Sequence, residues 1–171
     1  VFGSVSLVDA LRAVRKRGFA MQEAVPVGEG GMLAVIGLSD ELAQKLCLWA
    51  VERSSLRPLE PANFNAPGQV VISGSQQAIE WLKANFKAEE FDPAAKKVRL
   101  IPLNVSAPFH CSLMKPAEEQ MRDVLGGLPF HKAKWPVVQN YSAEPVTEET
   151  LLRENLVHQV SGPVRWVQCV H

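Results

Sequence analysis

The sequence has no excess of charge of either sign: Lys plus Arg and Asp plus Glu each total 18, so the formal net charge is zero. No basic run is interleaved with aromatics, which excludes an electrostatic groove for nucleic acid. Cysteine is scarce. Cys47, Cys111 and Cys169 are odd in number and widely spaced, which excludes a disulfide framework or a zinc cluster and predicts reduced thiols. Uncharged stretches fall well short of the ~20 apolar residues that cross a bilayer, and Val1-Phe2-Gly3-Ser4 lacks the charged start of a signal peptide. The expectation is a soluble, cytoplasmic protein with neither membrane nor nucleic acid as a partner. Two further absences concern chemistry: there is no G-x-S-x-G turn, and no cysteine has a histidine at a spacing that announces a Cys-His nucleophile.

What is present suffices for a real core, since 171 residues can form one large domain or two small ones. Ser6 followed by Asp9 resembles a capping box, and Leu7, Leu11, Val14, Gly18, Met21 and Val25 recur at helical spacing, so a helix is expected over about 6–25. Arg17 lies about 80° from the centre of that stripe, a boundary position from which a side chain reaches a cleft. Beyond Pro26 and Gly28-Glu29-Gly30-Gly31, which reads as a hinge because it leads into a strand, Met32–Leu38 reads as that strand and Asp40 opens a helix. Residues 62–65 read as extended, Ala66-Pro67-Gly68-Gln69 as a turn, Gln69–Ser73 as a strand, Ser75 as the cap of a helix, and Lys97–Asn104 as a last strand. The order β-α-β-β-α-β is that of ferredoxin-like modules. The rest returns to α/β character, with a helix over about 112–125, a strand over 135–140, a helix begun by Thr147, and Pro163 at a first helical position.

The stretch Asn104-Val105-Ser106-Ala107-Pro108-Phe109-His110-Cys111-Ser112 places an imidazole on a Pro-stiffened loop between strand and helix. A histidine there can act as base and then acid near neutral pH. Taken alone, a loop histidine is more often a hydrogen-bonded surface residue, and Arg17 more often a solvated one. His131, His158 and His171 have no companions at metal-ligand spacing, so no metal site is assigned.

Four segments in order change that weighting: Arg17-Gly18-Phe19-Ala20-Met21-Gln22, Asn63-Phe64-Asn65-Ala66-Pro67-Gly68-Gln69-Val70-Val71-Ile72-Ser73-Gly74, the histidine loop, and Val160-Ser161-Gly162-Pro163-Val164-Arg165-Trp166. Together they resemble the malonyl-CoA:acyl-carrier-protein transacylases of fatty acid synthesis and, less closely, the acyltransferase domains of polyketide synthases. The resemblance implies an α/β fold in which an α/β-hydrolase-like large domain carries an inserted ferredoxin-like small domain. It divides the chain into 1–30 (large domain), 31–104 (small domain) and 105–171 (return to the large domain). It implies malonyl transfer from coenzyme A to the phosphopantetheine thiol of acyl carrier protein through a serine ester, with no cofactor beyond the thioester substrate.

By the same resemblance His110 is the general base and acid, Arg17 holds the malonyl carboxylate, and Met21 lines the acyl pocket. Phe109 leaves little room for an α-methyl group, and Asn63 and Asn65 tie the small domain's turn to the cleft. The serine turn is expected upstream of Val1, and the glutamine whose backbone oxygen orients the histidine is expected after His171. The chain thus reads as part of a larger protein. Two alternatives stay open: a non-catalytic fragment that docks a carrier protein, and a polyketide synthase acyltransferase domain.

Overall fold

The computed structural model describes residues 3–92, 95 and 97–171. Residues 1 and 2 of the expected range 1–30, and residues 93, 94 and 96 of the expected range 31–104, lie outside them. Helix α1 (Leu7–Glu23) starts where Ser6 Oγ accepts the Asp9 N–H at 3.1 Å, with the Ser6 hydroxyl donating in turn to the Asp9 carboxylate at 2.7 Å. Strand β1 (Gly30–Ile36) leads into α2 (Asp40–Ser54), β2 (Leu59–Ala66), β3 (Gln69–Ser75), α3 (Gln76–Asn85), the single turn α4 (Ala88–Phe91) and β4 (Arg99–Leu103). Serines at 39 and 75 cap α2 and α3 through their side chains.

The four strands form one antiparallel sheet in the order β2-β3-β1-β4. Strand alternation decides which side chains meet the helices. Leu33, Val35, Val70 and Ile72 turn toward α2 and α3 and join Leu46, Ala50, Ile79 and Leu82 in one buried cluster. Trp49, Trp81, Phe86 and Phe91 close its end with ring centroids 5.8–6.4 Å apart. On the sheet's other face, Met32, Ala62 and Val71 form a smaller cluster against which Phe109 packs.

After the sheet, a short 3-10 turn (Ser112–Met114) runs into α5 (Lys115–Gly126), a two-residue ribbon of β5 (Val137–Val138) and β6 (Pro145–Val146), α6 (Glu149–His158) and α7 (Trp166–Val170). Their core unites Ala20 and Met21 of α1 with Met114, Ala117, Met121 and Leu125 before α6 contributes Leu152 and Val157. Phe109 packs against this second cluster as well, so it sits between the two cores.

Three sequence expectations are corrected. The strand expected at 135–140 is two residues long, because Pro136 removes a ladder donor at its start. Pro163 does not open a helix; α7 starts at Trp166, and Val164 lies beside β2, bridged to Asn63, its carbonyl accepting from Phe64 N–H and its N–H donating to the Ala62 carbonyl. On α1 the buried face is Ala13, Ala20 and Met21, whereas Leu7, Leu11 and Val14 are exposed. Periodicity tells which residues share a stripe and not which stripe is covered.

Gly74 permits the closest backbone approach in the sheet: a Cβ there would lie 2.1 Å from the Pro58 carbonyl oxygen. We expect Gly74→Ala to cost about 1–3 kcal/mol or more through overpacking, and Leu46→Ala about 2–5 kcal/mol through a core cavity. Urea unfolding of the two variants checks both values.

Candidate active site

The histidine loop is fixed from both ends. Before the histidine, Pro108 packs on Gly30 so closely that a Cβ at residue 30 would meet its Cγ at 2.3 Å, which explains the glycine at the start of β1. After it, Glu60 of β2 accepts from the Ser112 N–H at 2.9 Å and the Ser112 hydroxyl at 2.6 Å. The Cys111 thiol is buried and donates back to the Pro108 carbonyl at 3.2 Å, and burial raises its pKa, so it acts as a packing peg. Between these anchors His110 adopts φ 60°, a left-handed conformation that non-glycine residues occupy at a cost and that recurs at functional sites.

The imidazole Nδ1 lies 3.0 Å from the Gln159 carbonyl oxygen and 3.2 Å from that of Gly162. Both neighbours are acceptors, so Nδ1 carries the proton and Nε2 is left as the basic nitrogen. Among the described residues no side chain hydrogen-bonds to Nε2. The orienting oxygen expected after His171 is therefore supplied within the chain, by Gln159 at the C-cap of α6. Its side chain braces the same turn, with Nε2 3.3 Å from Gly162 O and 3.4 Å from Pro163 O. A Cβ on Gly162 would strike the Tyr141 ring at 2.7 Å, so glycine is required where the second carbonyl turns toward the histidine.

Arg17 extends from the buried side of α1 into a largely apolar cavity of about 580 Å³. Ala13, Met121, Phe130 and Leu152 contribute to its walls, and so does Gln159, the residue that holds His110. The cavity thus reaches Arg17 and the residue that holds His110, and the positive charge of Arg17 is felt at the His110 ring. Arg17 is half-buried and, among the described residues, has neither a carboxylate partner nor a hydrogen bond. Burial lowers its pKa, yet a guanidinium stays protonated at neutral pH, leaving an uncompensated cation in an apolar wall.

Of the other residues singled out from sequence, Met21 is buried in the second core and is not part of the cavity wall. Phe109 stands between the cores. Asn63 pairs with Val71 on one side and with Val164 on the other, while Asn65 is exposed near the turn. Gln159, Gly162 and Glu60 were not foreseen, although Ser161-Gly162-Pro163 after a helix was a visible signal of a shaped turn.

The whole chain, residues 1–171, matches the family described as acyl transferase domain. The chain belongs to that family. This acyl transferase chain is 42% identical over 168 residues to the malonyl CoA-acyl carrier protein transacylase of Salmonella typhimurium, covering 98% of the chain and 52% of that protein. It is 40% identical over 169 residues to that of Bacillus subtilis, covering 99% and 51%. Among solved structures it superposes on the acyl-carrier-protein S-malonyltransferase of Burkholderia pseudomallei with a TM-score of 0.86 at 43% identity, covering 98% and 52%. It also superposes on a malonyl-transacylase in complex with its type II PKS acyl-carrier protein, with a TM-score of 0.85 at 38% identity, covering 98% and 52%. The acyl transferase chain thus spans about half the length of the relatives it matches. None of its helices is long and apolar enough to cross a membrane among the described residues.

His110 has its proton affinity lowered first by burial and then by the positive charge of Arg17, with the two carbonyls pulling the other way. Its folded pKa lies below the ordinary 6.5, so the folded state binds this proton more weakly than the unfolded state and loses stability as pH falls below that value. We expect the ring to titrate below pH 6.5 by nitrogen NMR and Arg17→Gln to move the titration upward, toward the ordinary value.

Proposed function

We propose that the chain supplies the acyl-selecting and proton-transferring side of a malonyl transferase site. The observation that carries this reading is Arg17, a guanidinium without a partner among the described residues, in an apolar hollow that also reaches Gln159, the residue that holds a half-buried histidine whose Nε2 is unengaged. A guanidinium offers a planar two-pronged donor that matches a carboxylate, and desolvation by the surrounding apolar wall strengthens the pairing. An acetyl group has no carboxylate and leaves that cation unpaired, which separates the two substrates more sharply than a change of one methylene does.

In this reading His110 Nε2 takes the proton from a serine hydroxyl contributed by the longer protein as its oxygen attacks the malonyl thioester carbonyl. The tetrahedral oxyanion collapses, the C–S bond breaks, and the coenzyme A sulfur leaves with the proton from His110. The second half reaction runs the same steps with the phosphopantetheine thiol of an acyl carrier protein as nucleophile and the serine oxygen as leaving group. No cofactor takes part. The Nδ1 contacts hold the ring in the tautomer both halves need. Met21 and Phe109 shape the acyl pocket from the core side, and Asn63 and Asn65 tie the sheet's turn to the cleft.

The architecture proposed with it is a ferredoxin-like small domain over 31–104, inserted between 1–30 and 105–171 of an α/β-hydrolase-like large domain. The strand order β2-β3-β1-β4 supports the first part. The names of the relatives support malonyl-CoA and acyl carrier protein as partners, and the relative complexed with a type II PKS carrier favours a carrier of either synthase system. Free cysteines support a cytoplasmic setting.

In the complete protein, Arg17→Ala is expected to lower kcat/KM for malonyl-CoA by on the order of 100-fold while affecting acetyl-CoA far less. Steady-state transfer with both substrates measures it. Equal loss on the two thioesters rejects carboxylate recognition by Arg17.

A further inference from the structure

Among the described residues, one charged side chain outside the proposed chemistry is buried: Glu118 of α5, whose side chain is 5% exposed. Its carboxylate meets groups from two directions. From its own helix come Lys115 Nζ at 2.8 Å and Arg122 Nη2 at 3.5 Å. From the last turn of α6 comes His158 Nδ1 at 3.3 Å, and from the turn after it the Ser161 hydroxyl, which donates to Oε2. Burial raises its pKa, but the hydrogen bonds from Lys115 and Ser161 and the charges of Lys115 and His158 outweigh that and hold the carboxyl below its usual range.

Residues 158 and 161 each directly precede a residue whose carbonyl faces the His110 ring, Gln159 and Gly162 respectively. The strap has little slack: Gly162 N–H donates to His158 O at 2.8 Å, the His158 ring stacks on Tyr141 at 5.3 Å, and Tyr141 closes on Gly162. We infer that Glu118 is a positioning residue of the acyl transfer reaction, clamping His158 and Ser161 so that the Gln159 and Gly162 carbonyls stay aimed at His110 Nδ1. This rests on the function proposed above for His110. The charged groups facing the ring and the clamp are Arg17 from α1, Lys115 and Arg122 from α5 and His158 from α6.

The test uses the complete protein in its parent form and as Glu118→Ala, Glu118→Gln and Ser161→Ala. The His110 ring is titrated by nitrogen NMR, and malonyl transfer is measured alongside. Because the two carbonyls raise the ring's proton affinity, Glu118→Ala and Ser161→Ala are both expected to move the His110 titration to lower pH. Misaiming the base should reduce kcat by roughly 10- to 100-fold in Glu118→Ala, with KM for malonyl-CoA changed by less than about threefold. Glu118→Gln keeps an oxygen for Ser161 and is expected to keep the parent's titration.

A folded Glu118→Ala with the parent's titration and kcat overturns the inference. So does a Glu118→Gln that shifts as far as Glu118→Ala, since the effect would then belong to charge. Should Glu118→Ala fail to fold, Ser161→Ala decides by the same titration. A parent protein that moves no malonyl while its variants show the expected shifts rejects the malonyl reading and leaves the clamp standing; active protein with unshifted variants does the reverse.

Discussion

The arrangement depends on one imidazole nitrogen held by two backbone carbonyls. Gln159 O and Gly162 O belong to the end of α6, His110 to the loop after β4, and their meeting fixes two segments 49 and 52 residues apart in sequence. Main-chain acceptors have no rotamers, so the aim of the ring is set by the fold itself. The left-handed backbone at His110 is tolerable because Glu60 and Pro108 hold the loop on either side. With Nδ1 committed, Nε2 is the nitrogen left for proton transfer in the proposed reaction, within electrostatic reach of Arg17.

That cation accounts for much of the local electrostatics. Among the described residues Arg17 has no acidic partner; burial lowers its pKa, and burial first and the Arg17 charge second lower that of His110. A site that keeps an unpaired charge half-buried gives up stability for affinity toward an anion, a common trade at functional positions. The buried thiols contribute nothing comparable: burial pushes Cys47 up to about 12, where it stays protonated.

The sheet and its helices were legible in the sequence because local rules agree there. Asp40 opens α2, Ser75 caps α3, Pro67-Gly68 turns, and β-branched alternation at 70–72 places Val70 and Ile72 inward. Legibility failed where contacts between distant segments decide. The stripe from Leu7 to Met21 could not disclose that its Met21 end is covered, together with Ala13 and Ala20 outside it, while Leu7, Leu11 and Val14 are exposed. Gln159 escaped notice because its contribution is a backbone oxygen, which leaves no signature in residue type. Glu118 looks like any acidic residue in an amphipathic helix until Ser161 and His158 close over it.

The parallel bridge between Asn63 and Val164, with Phe64 N–H donating to Val164 O and Val164 N–H donating to Ala62 O, both at 2.8 Å, has a bearing on solubility. It occupies the outer rim of β2, while Pro102 interrupts the donors along β4 at the opposite border. Neither margin of the sheet offers an uninterrupted template to a strand from another molecule, which guards the fold against amyloid-like stacking and domain exchange.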